Sequence, residues 1–153
     1  MRRLAAVLML VATPALADKP HVARVATAWC NGGGDTFVEN ADGTWTPREW
    51  TDPDPPRYTV VWRGFLDRDK RKDVILDEGG CGTQECMHAA YVQCPDKTYK
   101  RVMGPDYASR VRVRGKARGW AIIQLEHVGD LENGRRGRAW SPVKFGVEGY
   151  TEQ

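Results

Sequence analysis

Residues 110–126 read RVRVRGKARGWAIIQLE. The first five alternate strictly, with Arg110, Arg112 and Arg114 on one side and Val111 and Val113 on the other. Successive strand side chains point to opposite faces, so this segment predicts a half-buried strand with one basic and one apolar face. Residues 115–119 turn the chain, and residues 120–126, rich in Trp, Ile and Leu, supply the next strand.

Similar signals recur outward from this pair. Toward the N-terminus, residues 23–29, 36–40, 44–50, 57–62, 74–76, 87–94 and 98–103 are short β-branched or aromatic runs. Ala41-Asp42-Gly43 and Pro95-Asp96-Lys97 supply turn chemistry between neighbouring runs. Residues 51–56 (TDPDPP) form a stiff loop. Toward the C-terminus, residues 129–137 are a Gly-rich polar loop and residues 139–147 a last strand. No apolar pattern of helical period longer than two turns follows the N-terminal segment. The expected fold is therefore all-β, a single antiparallel sandwich or barrel-like sheet of about nine or ten short strands. At 153 residues, 41% hydrophobic and with six Trp, the chain has material for one core but not for a multidomain enzyme.

Residues 1–17 (MRRLAAVLMLVATPALA) combine two arginines, a short apolar run and a small-x-small ending at Ala15 and Ala17. This predicts a secretory signal peptide rather than a membrane span, with residues 18–153 as the exported domain. Removing it takes Lys plus Arg from 23 to 21 against 20 Asp plus Glu, so the net charge falls from +3 to +1. Bulk charge then gives no support to nucleic-acid binding. An asymmetry remains, since residues 18–95 carry a net −4 and residues 96–153 a net +5.

Cys30, Cys81, Cys86 and Cys94 are an even set in an exported context, which favours two disulfides over a metal or redox site. If residues 87–93 form one strand, Cys86 and Cys94 lie about 26 Å apart, beyond the about 7 Å that a bridge spans. The expected pairs are Cys81–Cys86, across Gly82-Thr83-Gln84-Glu85, and Cys30–Cys94.

Residues 65–76 (FLDRDKRKDVIL) set Asp67, Asp69 and Asp73 before an apolar strand. This loop resembles the Asp-rich loops of FG-GAP and VCBS-type repeats, D-x-[DN]-x-[DN]-G-x-x-[DE], with Phe65 and Lys70 in place of the first Asp and the Gly. The alternative EF-hand register, with Asp67 first and Glu78 twelfth, also puts Arg71 at a ligand position. The three acids of residues 67–73 are outnumbered by Arg68, Lys70, Arg71 and Lys72, so the loop reads as a calcium scaffold without its ion. The segment as a whole is similar to small exported bacterial proteins of uncharacterised function. The resemblance rests on the loop, the Cys81-Gly82-x-x-x-Cys86 element, the hairpin over residues 91–102, Gly119-Trp120 before a late strand, and the ending with Gly146 and Gly149. It implies an exported β architecture and no particular reaction, and it does not reach the N-terminal third.

No G-x-S-x-G, H-E-x-x-H or P-loop is present. His21, His88 and His127, with the paired acids Asp52/Asp54 or Asp77/Glu78, are all that an enzyme would have to work with. The strongest binding feature is the basic stripe of Arg110, Arg112 and Arg114, with Lys116 and Arg118 following in the turn. It suits an envelope protein, an anionic glycan or a lipid phosphate, although Arg stems also commonly just cover a sheet. The expectation is a noncatalytic periplasmic or secreted binding or inhibitor-type module, without nucleic acid, membrane span or resident cofactor. The alternative is a hydrolase acting on a cell-envelope polymer.

Overall fold

The computed structural model describes residues 30, 31, 33–130, 136–146 and 149–152. The signal peptide expected over residues 1–17, the strand expected at 23–29, and His21 lie outside these residues. Ten strands form three antiparallel sheets: β1 (Phe37–Glu39), β2 (Trp45–Pro47), β3 (Thr59–Gly64), β4 (Asp73–Gly79), β5 (Cys86–Gln93), β6 (Tyr99–Ala108), β7 (Arg110–Ala117), β8 (Trp120–Asp130), β9 (Arg136–Gly146) and β10 (Gly149–Glu152). One sheet has the order β3-β4-β5-β6, the second β10-β9-β8-β7, and β1 pairs with β2 in a short ribbon. Each four-stranded sheet is a meander, and only Ser109 separates β6 in one from β7 in the other. The result is a sandwich rather than a closed barrel.

The valine side of the opening stretch faces the sandwich interior. Val111 and Val113 pack with Ile123, Leu125 and Val143 of their own sheet and with Ile75, Ala90, Val92 and Val102 of the other. At one end of this core Trp120 stacks on Phe145 with centroids 3.5 Å apart, and Tyr150 meets both rings edge-on. The Tyr150 hydroxyl donates to the Ala121 carbonyl at 2.7 Å, which satisfies its polar end inside the core.

The first sheet is buried on both faces, so Val74-Ile75-Leu76 is a continuous apolar run rather than an alternating one. Ile75 belongs to the sandwich core, whereas Val74, Leu76, Ala89 and Tyr91 form a second core under the β1–β2 ribbon, with Trp45 and the partly buried Phe37, Tyr58, Val60 and Tyr99. A bulge in β3 makes this possible. Val60 pairs with Leu76 and Trp62 with Ile75, so the extra residue Val61 turns Val60 and Trp62 to opposite faces.

Several boundaries differ from the sequence expectation. β6 continues through Gly104-Pro105 to Ala108 and β8 to Asp130. The expected loop over 129–137 therefore shrinks by residues at both ends, and β10 is a further strand paired with β9. The disulfides are Cys30–Cys94 and Cys81–Cys86, and the described residues contain no free cysteine. They set the chain in an oxidising environment. No helix among the described residues is long and apolar enough to cross a membrane.

Candidate functional site: the outer face of the second sheet

The ribbon covers the outer face of the first sheet, but no described strand packs on the outer face of the second. Cross-strand register fixes what lies there. Arg110 pairs with Glu126 and Glu126 with Trp140; Arg112 pairs with Gln124 and Gln124 with Pro142. Alternation along β9 adds Arg138 and Lys144 to the same face, and along β7 it adds Arg114.

The side chains confirm this grouping. The Arg112 guanidinium lies over the Trp140 ring, 3.8 Å from its centroid, and its Nε donates to Gln124 Oε1 at 2.7 Å. A guanidinium stacked and hydrogen-bonded in this way has little rotamer freedom left to lose on binding. Glu126 is buried at 6% exposure beneath the row. Its Oε2 accepts from Ser109 Oγ at 2.9 Å and stands 3.3 Å from Arg138 Nη1 and 3.7 Å from Arg110 Nε. Arg110, Arg112, Arg114, Arg138 and Lys144 therefore share the face with the Glu126 carboxylate, Arg136 falls on it by the same alternation, and Arg114 is exposed at its edge.

Of the two cations expected in the turn after the stripe, Arg118 lies there and Lys116 lies within β7. The bulge between Val113 and Lys116 brings Lys116 opposite the buried Ala121, and its Nζ donates to the Asp67 carbonyl at 3.3 Å. Arg118 takes a left-handed conformation (φ 50°) with Gly119 (φ 92°) in the two-residue turn between the paired Ala117 and Trp120. Spacing alone did not reveal the bulge. Sequence reasoning also missed Arg138, Trp140 and Lys144, because their strand was placed without its register against β8.

The acidic loop is an internal hydrogen-bond device. Asp73, fully buried, accepts from the backbone N–H of Leu66 at 2.6 Å and of Gln93 at 2.9 Å. Asp67 Oδ1 accepts from the Asp69 N–H at 2.8 Å, and Asp69 Oδ1 from the Arg71 N–H at 2.7 Å. The Arg71 guanidinium pairs with Asp69 Oδ2 and donates to the Gln93 carbonyl. Lys70, at the position where the repeat motif has glycine, is left-handed (φ 68°). Of the six carboxylate oxygens, only Asp67 Oδ2 has no partner. Among the described residues, the three potential ligands whose atoms lie within 4.8 Å of one another are Asp77, Cys81 and Cys86, and both cysteines are disulfide-bonded. Donors already occupied by N–H and guanidinium groups do not fit a divalent cation. Calorimetric titration with calcium is expected to give no binding in the micromolar range; a micromolar isotherm would overturn this account of the loop.

The hydrogen bond of His88 is made with the backbone rather than with a carboxylate. His88 Nδ1 lies 2.9 Å from the Cys86 carbonyl, and burial holds the ring below the ordinary imidazole range. His127 Nδ1 stands 3.8 Å from Glu85 Oε1, beyond hydrogen-bond reach, and that oxygen accepts the Val128 N–H at 2.7 Å. Glu85 lines a cavity of about 290 Å³ beside the Cys81–Cys86 loop, with Tyr107 and Arg136. Comparison of the chain with protein-family models, curated proteins and solved structures finds no match.

Proposed function

We propose that the protein is a noncatalytic periplasmic or secreted binding module that holds an anionic partner on the outer face of its second sheet. The observation that carries this is the Arg112–Trp140 stack with Arg110, Arg114 and Arg138 around it, on a face no described strand covers. Planar, pre-positioned guanidinium groups recognise carboxylates and phosphates through paired N–H donors. The stapled scaffold supports the same reading, because a rigid sheet presents its charges without an ordering cost on binding.

Exchanging Arg112 and Arg114 for Glu lowers the net charge of the face by four. Retention on an anionic matrix at low salt is expected to vanish, and the thermal midpoint to move by no more than about 2–4 °C, as for a loss of about 1 kcal/mol at sites outside the core. Undiminished retention would reduce the row to surface decoration.

A further inference from the structure

We propose that Cys81–Cys86 is the reducible one of the two disulfides, and that its opened thiols form, with the Asp77 carboxylate, a site for a zinc-class divalent cation. The site belongs to the first sheet and is independent of the basic face on the second. Among the described residues, one ligand atom from each of Asp77, Cys81 and Cys86 lies within 4.8 Å of the others. Atoms bound to one tetrahedral zinc stand about 3.6–3.8 Å apart, as bonds of about 2.3 Å to sulfur and about 2.1 Å to oxygen require. The carboxylate therefore has about 1 Å to close at most, and the two sulfurs have only to part.

The fold fixes two donors and leaves the third free to move. Asp77 lies in β4 and Cys86 begins β5, adjacent strands in which Asp77 pairs with His88 and Cys86 with Ala108. Asp77 Oδ1 accepts the Gly79 N–H at 2.8 Å, and His88 Nδ1 lies 2.9 Å from the Cys86 carbonyl, so both donors are held by their neighbours. Cys81 instead sits in the loop between the strands, with Gly79 and Gly80 left-handed before it and Gly82 after it. A Cβ at Gly79 would meet nothing within 4 Å, and one at Gly82 only the Glu85 carbonyl of the same loop. The loop thus has room to carry the Cys81 sulfur from bonding distance to ligand distance. Four residues separate the cysteines, a spacing found in zinc-binding pairs.

Exposure selects which bridge opens. Cys81 is exposed, whereas Cys94 of the other bridge is 1% exposed. A dithiol in solution supplies the two electrons. Its thiolate attacks the Cys81 sulfur, the S–S bond breaks, and the electron pair leaves on Cys86. The second thiol of the reductant then closes its own ring disulfide and releases Cys81. The arriving cation displaces the two thiol protons. Two thiolates and one carboxylate favour zinc or cobalt over calcium or magnesium, which take oxygen ligands. Three protein donors leave the fourth position to water.

The experiment treats the full protein with dithiothreitol without denaturant, maps the opened bridge by alkylation and mass spectrometry, and titrates the reduced chain with cobalt and then zinc. Cys81 and Cys86 are expected to be alkylated while Cys30–Cys94 stays joined. The reduced chain should bind cobalt with a near-ultraviolet thiolate-to-cobalt charge-transfer band that zinc abolishes, and the oxidised chain should show none. Asp77→Asn keeps an acceptor for the Gly79 N–H and should weaken the affinity about tenfold or more. Cys81→Ser/Cys86→Ser removes the bridge as reduction does; it should keep the circular dichroism of the fold and give no band. A Cys81–Cys86 bridge that resists the dithiol, or that opens only after Cys30–Cys94, overturns the proposal. So does a missing band in a chain shown to hold both thiols. An affinity unchanged in Asp77→Asn overturns the three-donor site.

Discussion

Replacing Cys30 and Cys94 together by alanine is expected to lower unfolding free energy by about 4 kcal/mol, and the midpoint of thermal unfolding by about 10–20 °C. The bond joins residues 64 apart in sequence, and its Cα atoms are 5.6 Å apart. Closing so long a loop removes many conformations from the unfolded chain, which is the source of the effect in the chain-entropy account. Cys94 is also buried, directly after β5, with its N–H bonded to the Thr98 carbonyl at 2.8 Å. The bridge thus fastens the start of the described chain to the β5–β6 turn, beside the edge where Asp35 bridges to Tyr99. The Cys81–Cys86 bridge spans only five residues, and its removal should cost about 2 kcal/mol. Urea unfolding of both double variants checks the ratio. Equal losses would mean that native contacts, not loop length, set the value of these bonds.

The same bridge shows how far the sequence could be read. The Cys86–Cys94 pairing fails on strand length, because the two cysteines end a run whose alternation is visible residue by residue. The strict Arg–Val alternation likewise identified β7, its apolar face and its hairpin partner. What stayed hidden were features set by register across strands. Val61 is one extra residue in β3, and nothing in TVVWRG marks which valine is the bulge. The bulge before Lys116 is equally silent in RGKA, so Lys116 was expected in a turn where β7 continues to Ala117. The second half of the basic face, Arg138 to Lys144, is Pro-interrupted. Only its pairing with the apolar β8 reveals it as a strand face. The tryptophans divide in the same way. Trp45 and Trp120 are buried, and Trp50 is the exposed one of the described set, so aromatic content was a signal of core more than of recognition.

Asp73 and Asp67 are three turns of logic apart in what they do, although both are buried carboxylates of one loop. Asp73→Ala is expected to destabilise the protein by about 4 kcal/mol, because the N–H groups of Leu66 and Gln93 would each remain buried without an acceptor, at about 1–3 kcal/mol apiece, beside a small cavity. Asp67→Asn should act in the opposite sense. Its Oδ1 bond to the Asp69 N–H survives in the amide, and the group replaced is the unpartnered Oδ2. Burial raises the Asp67 carboxyl to about 6 and the Asp73 carboxyl to about 7, from an ordinary 3.8. A carboxyl whose folded value is raised favours the fold while protonated. That contribution is complete below about pH 4 and is lost as pH rises through 6 to 7. At pH 8 the charged Asp67 therefore costs stability that an amide does not, and Asp67→Asn should stabilise by about 1 kcal/mol after the burial of its own N–H donors is subtracted. Below pH 5 the advantage should disappear. Urea unfolding of both variants at pH 5 and pH 8 checks the pair. A destabilised Asp67→Asn at pH 8 would show that its charge is needed, either by Arg71 or by a cation from outside, and would reopen the loop as a binding site.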